Sequence, residues 1–301
     1  GSRERKYRVF VPATYDPHTP VPMLMVLHGC KQTEQNMIDE TNFDALAERE
    51  GFIVVYPFVT SYDGWRAENC WGFWFDHHIH AGAGEVEDLY QLAREVEARF
   101  AIDPQRRYVT GLSSGGGMAV ALAVARSEYF AAAGAAAGVA YGESSWAVSF
   151  SCMIGGFFET VDSSVASMRG EQTTSADQRP IPVMTVQSKN DCTVNARAAE
   201  HIRDAWLTRY GVSTTPYETV DCSNEGVPCK REKYGSAQHS LVETVFYEGA
   251  TGGFSGSGAH YWVGDDAGPF ANPTGPSASE LFWDFFRQHR FDDTTALAGI
   301  P

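Results

Sequence analysis

Two kinds of hydrophobic pattern alternate along the chain of 301 residues. Short apolar runs that end at Gly, Pro, Asn or Asp are typical of strands, and apolar residues at every third or fourth position are typical of helices. The predicted strands are Tyr7–Val11, Met23–Leu27, Phe52–Tyr56, Arg107–Thr110, Ala131–Gly138, Val183–Gln187 and Val242–Tyr247. The predicted helices are Asn42–Glu50, Glu85–Phe100, Gly115–Ser127, Asn195–Tyr210 and Ser277–His289. Because strands and helices alternate, we predict an α/β fold with a mostly parallel central sheet and helices on both faces.

No internal repeat or linker-like stretch divides the chain into two parts. We expect a single catalytic domain over residues 3–289, after a cloning scar at Gly1-Ser2 and before a tail or linker stub at residues 290–301. The least regular stretch, Val139–Gln178, lies between two predicted strands and is rich in Ser, Gly and acidic residues. We expect it to pass over the active face with at most a small cap.

Composition and charge exclude some classes of binding partner. Hydrophobic residues make up 43% of the chain and charged residues 20%, which is ordinary for a globular protein. A formal net charge of −15 repels nucleic-acid phosphates and anionic membranes, so we expect neither as a partner. The most apolar stretch, Phe130–Ala140, is too short to span a bilayer. We expect a monomer.

The cysteines form an even set without a Cys-x-x-Cys pair, which argues against a zinc ribbon or a thioredoxin-type redox motif. Disulfide bonds are the better interpretation, and they indicate an oxidising compartment, extracellular or periplasmic. The number of cysteines alone leaves their connectivity open. The set comprises Cys30, Cys70, Cys152, Cys192, Cys222 and Cys229.

A candidate nucleophile lies in Gly111-Leu112-Ser113-Ser114-Gly115. A predicted strand ends directly before this pentapeptide and a predicted helix begins within it, which is the context that a nucleophile elbow requires. In such a turn Ser113 stands at the carboxyl edge of the sheet and at a helix N-terminus, where backbone N–H groups favour developing negative charge. The alternative is a glycine-rich turn in which Ser113 or Ser114 serves only as a helix cap.

A nucleophilic serine needs a histidine base and a carboxylate that orients the base. Of the later histidines, only His260 lies on a loop that leaves a strand at the active edge; His201 and His289 lie in predicted helices, and His239 precedes a strand. Asp191 leaves the strand Val183–Gln187 at the same edge, so we assign it as the orienting acid. The alternatives are a surface histidine at His260 and a helix N-terminal charge at Asp191.

At these positions the chain resembles the catalytic domain of extracellular polyhydroxyalkanoate depolymerases, a group that also resembles feruloyl and acetylxylan esterases. The resemblance runs from about Tyr7 to His289 and implies an α/β-hydrolase fold with little or no lid. The segments that carry it are His28-Gly29-Cys30-Lys31-Gln32-Thr33, Gly111-Leu112-Ser113-Ser114-Gly115-Gly116, Asp191-Cys192-Thr193-Val194 and Gly258-Ala259-His260-Tyr261-Trp262.

The resemblance also assigns roles to residues outside the triad. It implies that the N–H groups of Cys30 and Ser114 form the oxyanion hole, which is compatible with a strand that ends at His28-Gly29. It implies a disulfide between Cys30 and Cys70, and we expect the remaining cysteines to pair as Cys222–Cys229 and Cys152–Cys192. We interpret His28 as a structural residue of its loop rather than a base.

Aromatic residues near the proposed triad suggest where a substrate binds. The segment Cys70-Trp71-Gly72-Phe73-Trp74-Phe75 and the Val263 that follows Trp262 depart from the family's usual pattern, which leaves the substrate preference open. We expect Trp71 and Trp262 to form an apolar platform for an acyl chain or ring, with a role in the core as the alternative. The run His77-His78-Ile79-His80 is interpreted as a solvated loop and not as a metal site.

These features predict a secreted serine esterase that hydrolyses a polyester such as poly(3-hydroxybutyrate) through an acyl-enzyme. The chemistry requires no metal and no organic cofactor. A feruloyl or acetylxylan esterase, a hydrolase of aromatic polyesters and an α/β-fold peptidase are the alternatives, and a non-catalytic polymer-binding module is a more remote one.

Overall fold

The computed structural model describes residues 4–59, 69–148, 155–174, 178–251 and 258–293. Across these ranges one sheet has nine strands in the order β1-β3-β2-β4-β5-β6-β9-β8-β7, and β10 pairs with β11 separately. The strands of the large sheet are β1 Lys6–Phe10, β2 Val21–Leu27, β3 Ile53–Phe58, β4 Ile102–Gly111, β5 Ala132–Ala136, β6 Val183–Ser188, β7 Glu218–Asp221, β8 Cys229–Gly235 and β9 Ser240–Tyr247. The short pair consists of β10 Trp262–Val263 and β11 Ala271–Asn272.

The centre of the large sheet is parallel and both margins are antiparallel. The parallel strands are β3, β2, β4, β5, β6 and β9. At one margin β1 pairs with β3 antiparallel; at the other, β8 pairs antiparallel with both β9 and β7. The carboxyl ends of the parallel strands therefore meet at one edge, where ligands bind in open α/β sheets. The prediction of a mostly parallel sheet is confirmed.

Helices flank the sheet. Their bounds are α1 Glu34–Glu40, α2 Phe43–Glu50, α3 Gly84–Arg99, α4 Ser114–Ala125, α5 Val161–Glu171, α6 Arg197–Tyr210 and α7 Ala278–Phe286. Every residue of α4 is buried, which agrees with its almost entirely small and apolar sequence. No helix within the described ranges is both long enough and apolar enough to cross a membrane.

Elements absent from the sequence prediction are α1, α5, the β7–β8 hairpin and the short β10–β11 pair. The stretch predicted to be irregular, Val139–Gln178, contains the whole of α5. In β8 the inward position of Arg231 conceals the strand pattern, because a charged side chain stands where an apolar one is expected. Its guanidinium pairs with the buried carboxylate of Glu243 on β9, so the charge is compensated inside the sheet.

Candidate active site

Ser113 lies at the turn between β4 and α4, at the carboxyl edge of the sheet. Its backbone has φ 57° and ψ −117°, a conformation that L-residues rarely adopt and that costs about 1–3 kcal/mol. The Ser113 N–H donates to the carbonyl of Ala136 at the end of β5 (2.9 Å), and its carbonyl accepts from Gly117 in α4 (3.0 Å). The surrounding strand and helix thus hold a strained, partly exposed serine in one orientation.

Glycines on both sides of the turn allow this close packing. A Cβ atom at Gly111 would lie 2.6 Å from the carbonyl oxygen of Leu27, and one at Gly115 would lie 2.4 Å from the same oxygen. Neither distance is compatible with a side chain, because a backbone oxygen cannot move away without disrupting β2. The pattern Gly-x-Ser-x-Gly is therefore a packing requirement of this turn.

Asp191 follows β6 and is 3% exposed. One carboxylate oxygen, Oδ1, accepts hydrogen bonds from the backbone N–H groups of Thr193 and Val194, both at 2.8 Å. The other oxygen, Oδ2, accepts from Gln187 Nε2 at 3.2 Å and lies 2.8 Å from His260 Nδ1. These donors fix the orientation of the carboxylate.

A backbone bridge brings the acid loop and the histidine loop together. Asp191 pairs with Gly258 in an antiparallel bridge, and Ala259 N–H donates to the Asn190 carbonyl at 3.0 Å. Gly258 has φ +66°, and a Cβ there would lie 2.2 Å from the Asn190 oxygen, so only glycine fits. This bridge places the His260 ring against Asp191, with Nδ1 engaged and Nε2 left to exchange a proton.

Asp265 holds the far side of the His260 loop. Its carboxylate accepts from Trp262 Nε1 and Ser279 Oγ, both at 2.5 Å, and from the hydroxyl of Ser277. Burial raises the pKa of Asp265, although these three donors oppose the rise. The loop is therefore attached to the start of α7 as well as to Asp191.

The loop after β2 carries the proposed oxyanion-hole residue Cys30. The Gly29 N–H donates to Gln32 Oε1 at 2.6 Å, and Gln32 Nε2 donates to Glu40 at 3.2 Å. A Cβ at Gly29 would lie 3.3 Å from the Ser113 Cβ, so this loop and the elbow are in direct contact. Ser114, the second proposed donor, is the first residue of α4, where backbone N–H groups have no acceptor within the helix.

Disulfides are found for both pairings whose cysteines all lie in the described ranges, Cys30–Cys70 and Cys222–Cys229. The first links the loop after β2 to the aromatic segment, by which we mean Cys70–Phe75. Cys152 lies outside the described residues, so the expected Cys152–Cys192 bond stays a prediction.

The aromatic segment is tied to the elbow and to the amino-terminal part of the chain. Trp71 N–H donates to Ser114 Oγ at 3.3 Å, and Gly72 N–H donates to Glu85 of α3 at 2.6 Å. Buried Arg5 pairs with Asp88 of α3 at 2.7 Å and lies 6.0 Å from the centre of the Trp71 ring. Residues remote in sequence therefore position the peptide that borders the Ser113 elbow.

The expectation that Trp71 and Trp262 form a substrate platform is wrong for this structure. Their exposed fractions are 0% and 1%, so neither ring presents a face to solvent. Trp71 packs on His28, and Trp262 packs on Phe43 and Phe282. Nearness to the triad in sequence does not reveal on which side of the backbone a ring lies.

Two histidine predictions have different outcomes. The His28 ring links its own loop to the residue after β3 and is therefore structural: Nδ1 lies 2.8 Å from the Gly29 carbonyl oxygen, and Nε2 accepts from Val59 N–H at 3.3 Å. Burial lowers the pKa of His28 to about 4. In the run His77–His80 the prediction of a solvated loop is wrong in part: His78 is fully buried, and Asp76–His78 forms a short 3₁₀ turn.

The structure joins Asp191 directly to His260 and brings Ser113 beside the loop of Cys30. A hydrogen bond between Ser113 Oγ and His260 is not among the contacts of the described residues. Such bonds are often long before substrate binds and shorten in the reacting complex.

Supporting residues that the sequence interpretation did not assign are Gln187, Gln32 and Asp265. Gln187 is a polar residue at the end of an apolar strand, a signal that could have identified it. Gln32 lies within the segment His28–Thr33, which carries the family resemblance but by itself does not indicate a role for this side chain. For Asp265 there is no comparable signal, because its partners come from the start of α7.

The sequence of the chain is similar to those of several known proteins. A family model described as Esterase PHB depolymerase matches residues 6–214. Poly(3-hydroxyalkanoate) depolymerase C of Paucimonas lemoignei is 31% identical over 231 residues, which cover 76% of this chain and 54% of that protein. Feruloyl esterase B of Neurospora crassa is 30% identical over 145 residues, which cover 47% of this chain and 47% of that protein. The chain thus spans about half the length of these curated relatives.

A solved structure provides a match over nearly the whole chain. An acetyl xylan esterase from Aspergillus awamori superposes with a TM-score of 0.69 at 17% identity and covers 94% of this chain and 93% of its own. At this level of identity the likeness shows the α/β-hydrolase fold alone.

Proposed function

The chain belongs to the Esterase PHB depolymerase family, and from this premise we propose that it is a secreted serine esterase that cleaves a polyester such as poly(3-hydroxybutyrate). The observation that carries the proposal is the 2.8 Å contact between His260 Nδ1 and buried Asp191, on the same sheet edge as the strained Ser113. Two disulfides support secretion, because such bonds persist in oxidising compartments. We propose that the enzyme acts as a monomer.

The mechanism assigns one task to each group. Asp191 holds His260 with its proton on Nδ1, so Nε2 can accept the Ser113 hydroxyl proton as Oγ attacks the ester carbonyl. The N–H groups of Cys30 and Ser114 donate to the oxyanion of the tetrahedral intermediate, and each such donor contributes about 3 kcal/mol. His260 then protonates the leaving alcohol, and a water molecule activated by the same histidine releases the acid from Ser113.

A feruloyl or acetylxylan esterase is the second candidate. It is favoured by the similarity to feruloyl esterase B. Clearing of a poly(3-hydroxybutyrate) film supports the first candidate, whereas release of ferulate or acetate from xylan without film clearing supports the second.

The test of the nucleophile is Ser113→Ala, measured by turnover of p-nitrophenyl butyrate. We expect kcat to fall by at least about 1,000-fold, because the hydroxyl that forms the acyl-enzyme is absent. Ser213→Ala, at an exposed serine, is the matched control and should retain wild-type turnover. Near wild-type kcat in Ser113→Ala would remove Ser113 from the mechanism.

A further inference from the structure

A cavity of about 470 Å³ lies between the aromatic segment and helix α5. Its size falls within the range of sites that hold small organic groups. Phe73, Trp74 and Tyr141 form its apolar part, while His80, Glu143 and Glu171 supply polar groups. With more carboxylates than cations around it, the cavity disfavours an anionic ligand and suits an uncharged one.

The aromatic segment connects this cavity to the elbow. Trp71, three residues before Trp74, donates to Ser114 Oγ, and a Cβ at Gly117 would lie 2.9 Å from the Phe73 ring. Gly117 is one helical turn beyond Ser113, to which it is hydrogen-bonded. The aromatic segment therefore both lines the cavity and contacts the elbow and α4.

Helix α5, one wall of the cavity, is anchored at its start by a buried polar chain. The His201 Nδ1 atom on α6 lies 2.6 Å from Glu143, and its Nε2 atom lies 3.4 Å from Ser164 Oγ on α5. Glu143 also accepts from the backbone N–H of Glu159 at 3.2 Å. These buried contacts fix the amino-terminal part of α5 against the body of the protein.

The other end of α5 is attached through His80. Its Nδ1 atom lies 2.6 Å from Glu171 Oε2, the last residue of α5, and its Nε2 atom lies 3.0 Å from Asp76 Oδ1. Glu171 Oε1 also accepts from Ala81 N–H at 2.7 Å. Ionised carboxylates only accept hydrogen bonds, so both contacts of the ring form together only when both nitrogens carry protons.

We propose that this cavity binds an uncharged part of the ester and that His80 is a positioning residue. As an imidazolium, His80 keeps helix α5 against the turn of residues 76–81, and the cavity between them stays narrow. The assignment of the bound group rests on the proposed function, whereas the attachment of α5 does not. His80 touches neither the triad nor the reacting atoms, and it acts through α5.

The charges around His80 give the direction of its pH dependence. Partial burial lowers the pKa of His80, but the hydrogen bonds and negative charges of Asp76 and Glu171 outweigh this effect and raise the pKa above its ordinary value. Tyr141, whose hydroxyl lies 3.4 Å from Nδ1, stays neutral because burial and Glu171 raise its own pKa. Glu143 faces the same cavity and is paired with His201. The attachment is therefore complete below the ordinary histidine pKa and is lost as the pH rises through the raised one.

The attachment is tested by measuring amide hydrogen exchange of residues Ser167–Glu171 between about pH 5 and about pH 9. The measurement uses the Ser113→Ala background, and the rates are corrected for the intrinsic pH dependence of exchange. We expect protection to fall about two- to fivefold as the pH rises, as befits a partly exposed ion pair. In His80→Gln protection should be low at every pH, and in His80→Arg, which keeps its cation, it should be independent of pH. His77→Gln is the control. Equal protection in all variants would overturn the role of His80.

The ligand is tested by blocking the cavity in the active enzyme. Ser167→Trp places a large ring in the cavity, and Ser163→Trp places the same ring on an exposed position of α5 outside it. We expect KM for p-nitrophenyl butyrate to rise at least about fivefold in Ser167→Trp alone, with kcat changed less. Equal KM values in the two variants would overturn the binding site. Activity in Ser113→Ala would instead contradict the proposed function and leave the exchange result valid.

Discussion

At the scale of single residues, the hydrogen bonds of Asp191 determine which nitrogen of His260 is basic. Both carboxylate oxygens accept hydrogen bonds from fixed donors, so the oxygen that faces Nδ1 cannot turn away. A histidine bound in this way carries its proton on Nδ1 when neutral. The proposed base therefore has one tautomer before any substrate arrives.

Asp191→Asn should lower kcat for p-nitrophenyl butyrate by about 1,000- to 10,000-fold and change KM little. An amide at this position can donate to Nδ1, which moves the imidazole proton to Nε2 and blocks acceptance of the serine proton. Asp204→Asn, on the surface of α6, should behave as wild type. A fall in kcat of less than about tenfold would show that Asp191 does not orient the base.

At the scale of elements, the two disulfides differ in what they hold. Cys30–Cys70 closes 40 residues of sequence and joins the oxyanion loop to the aromatic segment, whereas Cys222–Cys229 spans only 7 and closes the β7–β8 hairpin. In the chain-entropy description, the longer loop stabilises by about 4 kcal/mol and the shorter by about 2 kcal/mol. Of these two disulfides, whose cysteines all lie in the described residues, the longer one borders the proposed site.

Replacing both cysteines of Cys30–Cys70 by serine should lower the free energy of unfolding by about 4 kcal/mol and lower kcat under conditions where the variant is folded. The same replacement at Cys222–Cys229 should cost about 2 kcal/mol and leave kcat unchanged. Urea unfolding and steady-state turnover measure the two quantities. An equal loss of kcat in both variants would contradict a specific role for the first disulfide.

The strands and the site residues differ in how well the sequence predicts them. The central strands were predicted because they are buried on both faces and read as continuous apolar runs. The sequence does not predict strand β8, because Arg231 occupies an inward position where an apolar residue is expected. Its charge is neutralised by Glu243 on the neighbouring strand β9, and a pattern within one segment cannot indicate such a partner. Ser113, Asp191 and His260 follow strand ends and could be assigned from chain order. Burial of Trp71 and Trp262 depends on partners distant in sequence, and it was predicted wrongly.

At the scale of the whole molecule, two buried histidines make stability depend on pH. Burial lowers the pKa of His28 to about 4, and burial together with nearby cationic groups lowers that of His289 to about 3. Both values lie below that of an unfolded histidine, so the unfolded chain binds the protons first. Stability is therefore complete above about pH 6.5 and falls by about 1.4 kcal/mol per pH unit for each residue as the pH drops towards the folded pKa.

His289→Phe should reduce the loss of stability between pH 7 and about pH 4.5 by about 2 to 3 kcal/mol. The ring of His289 packs on Phe285, so phenylalanine keeps the apolar contact and removes the titrating group. Urea unfolding at the two pH values measures the difference, with His18→Gln as an exposed control. An unchanged pH dependence in His289→Phe would exclude this residue as a cause.

Arg5, buried between α3 and Trp71, makes the elbow depend on a side chain far from it in sequence. Loss of this guanidinium takes a cation away from Asp88 and Glu85. Glu85 holds Gly72, and the neighbouring Trp71 holds Ser114, so the damage reaches the elbow through three contacts. A substitution at Arg5 should thus lower turnover from a distance while the side chains of the proposed triad stay intact.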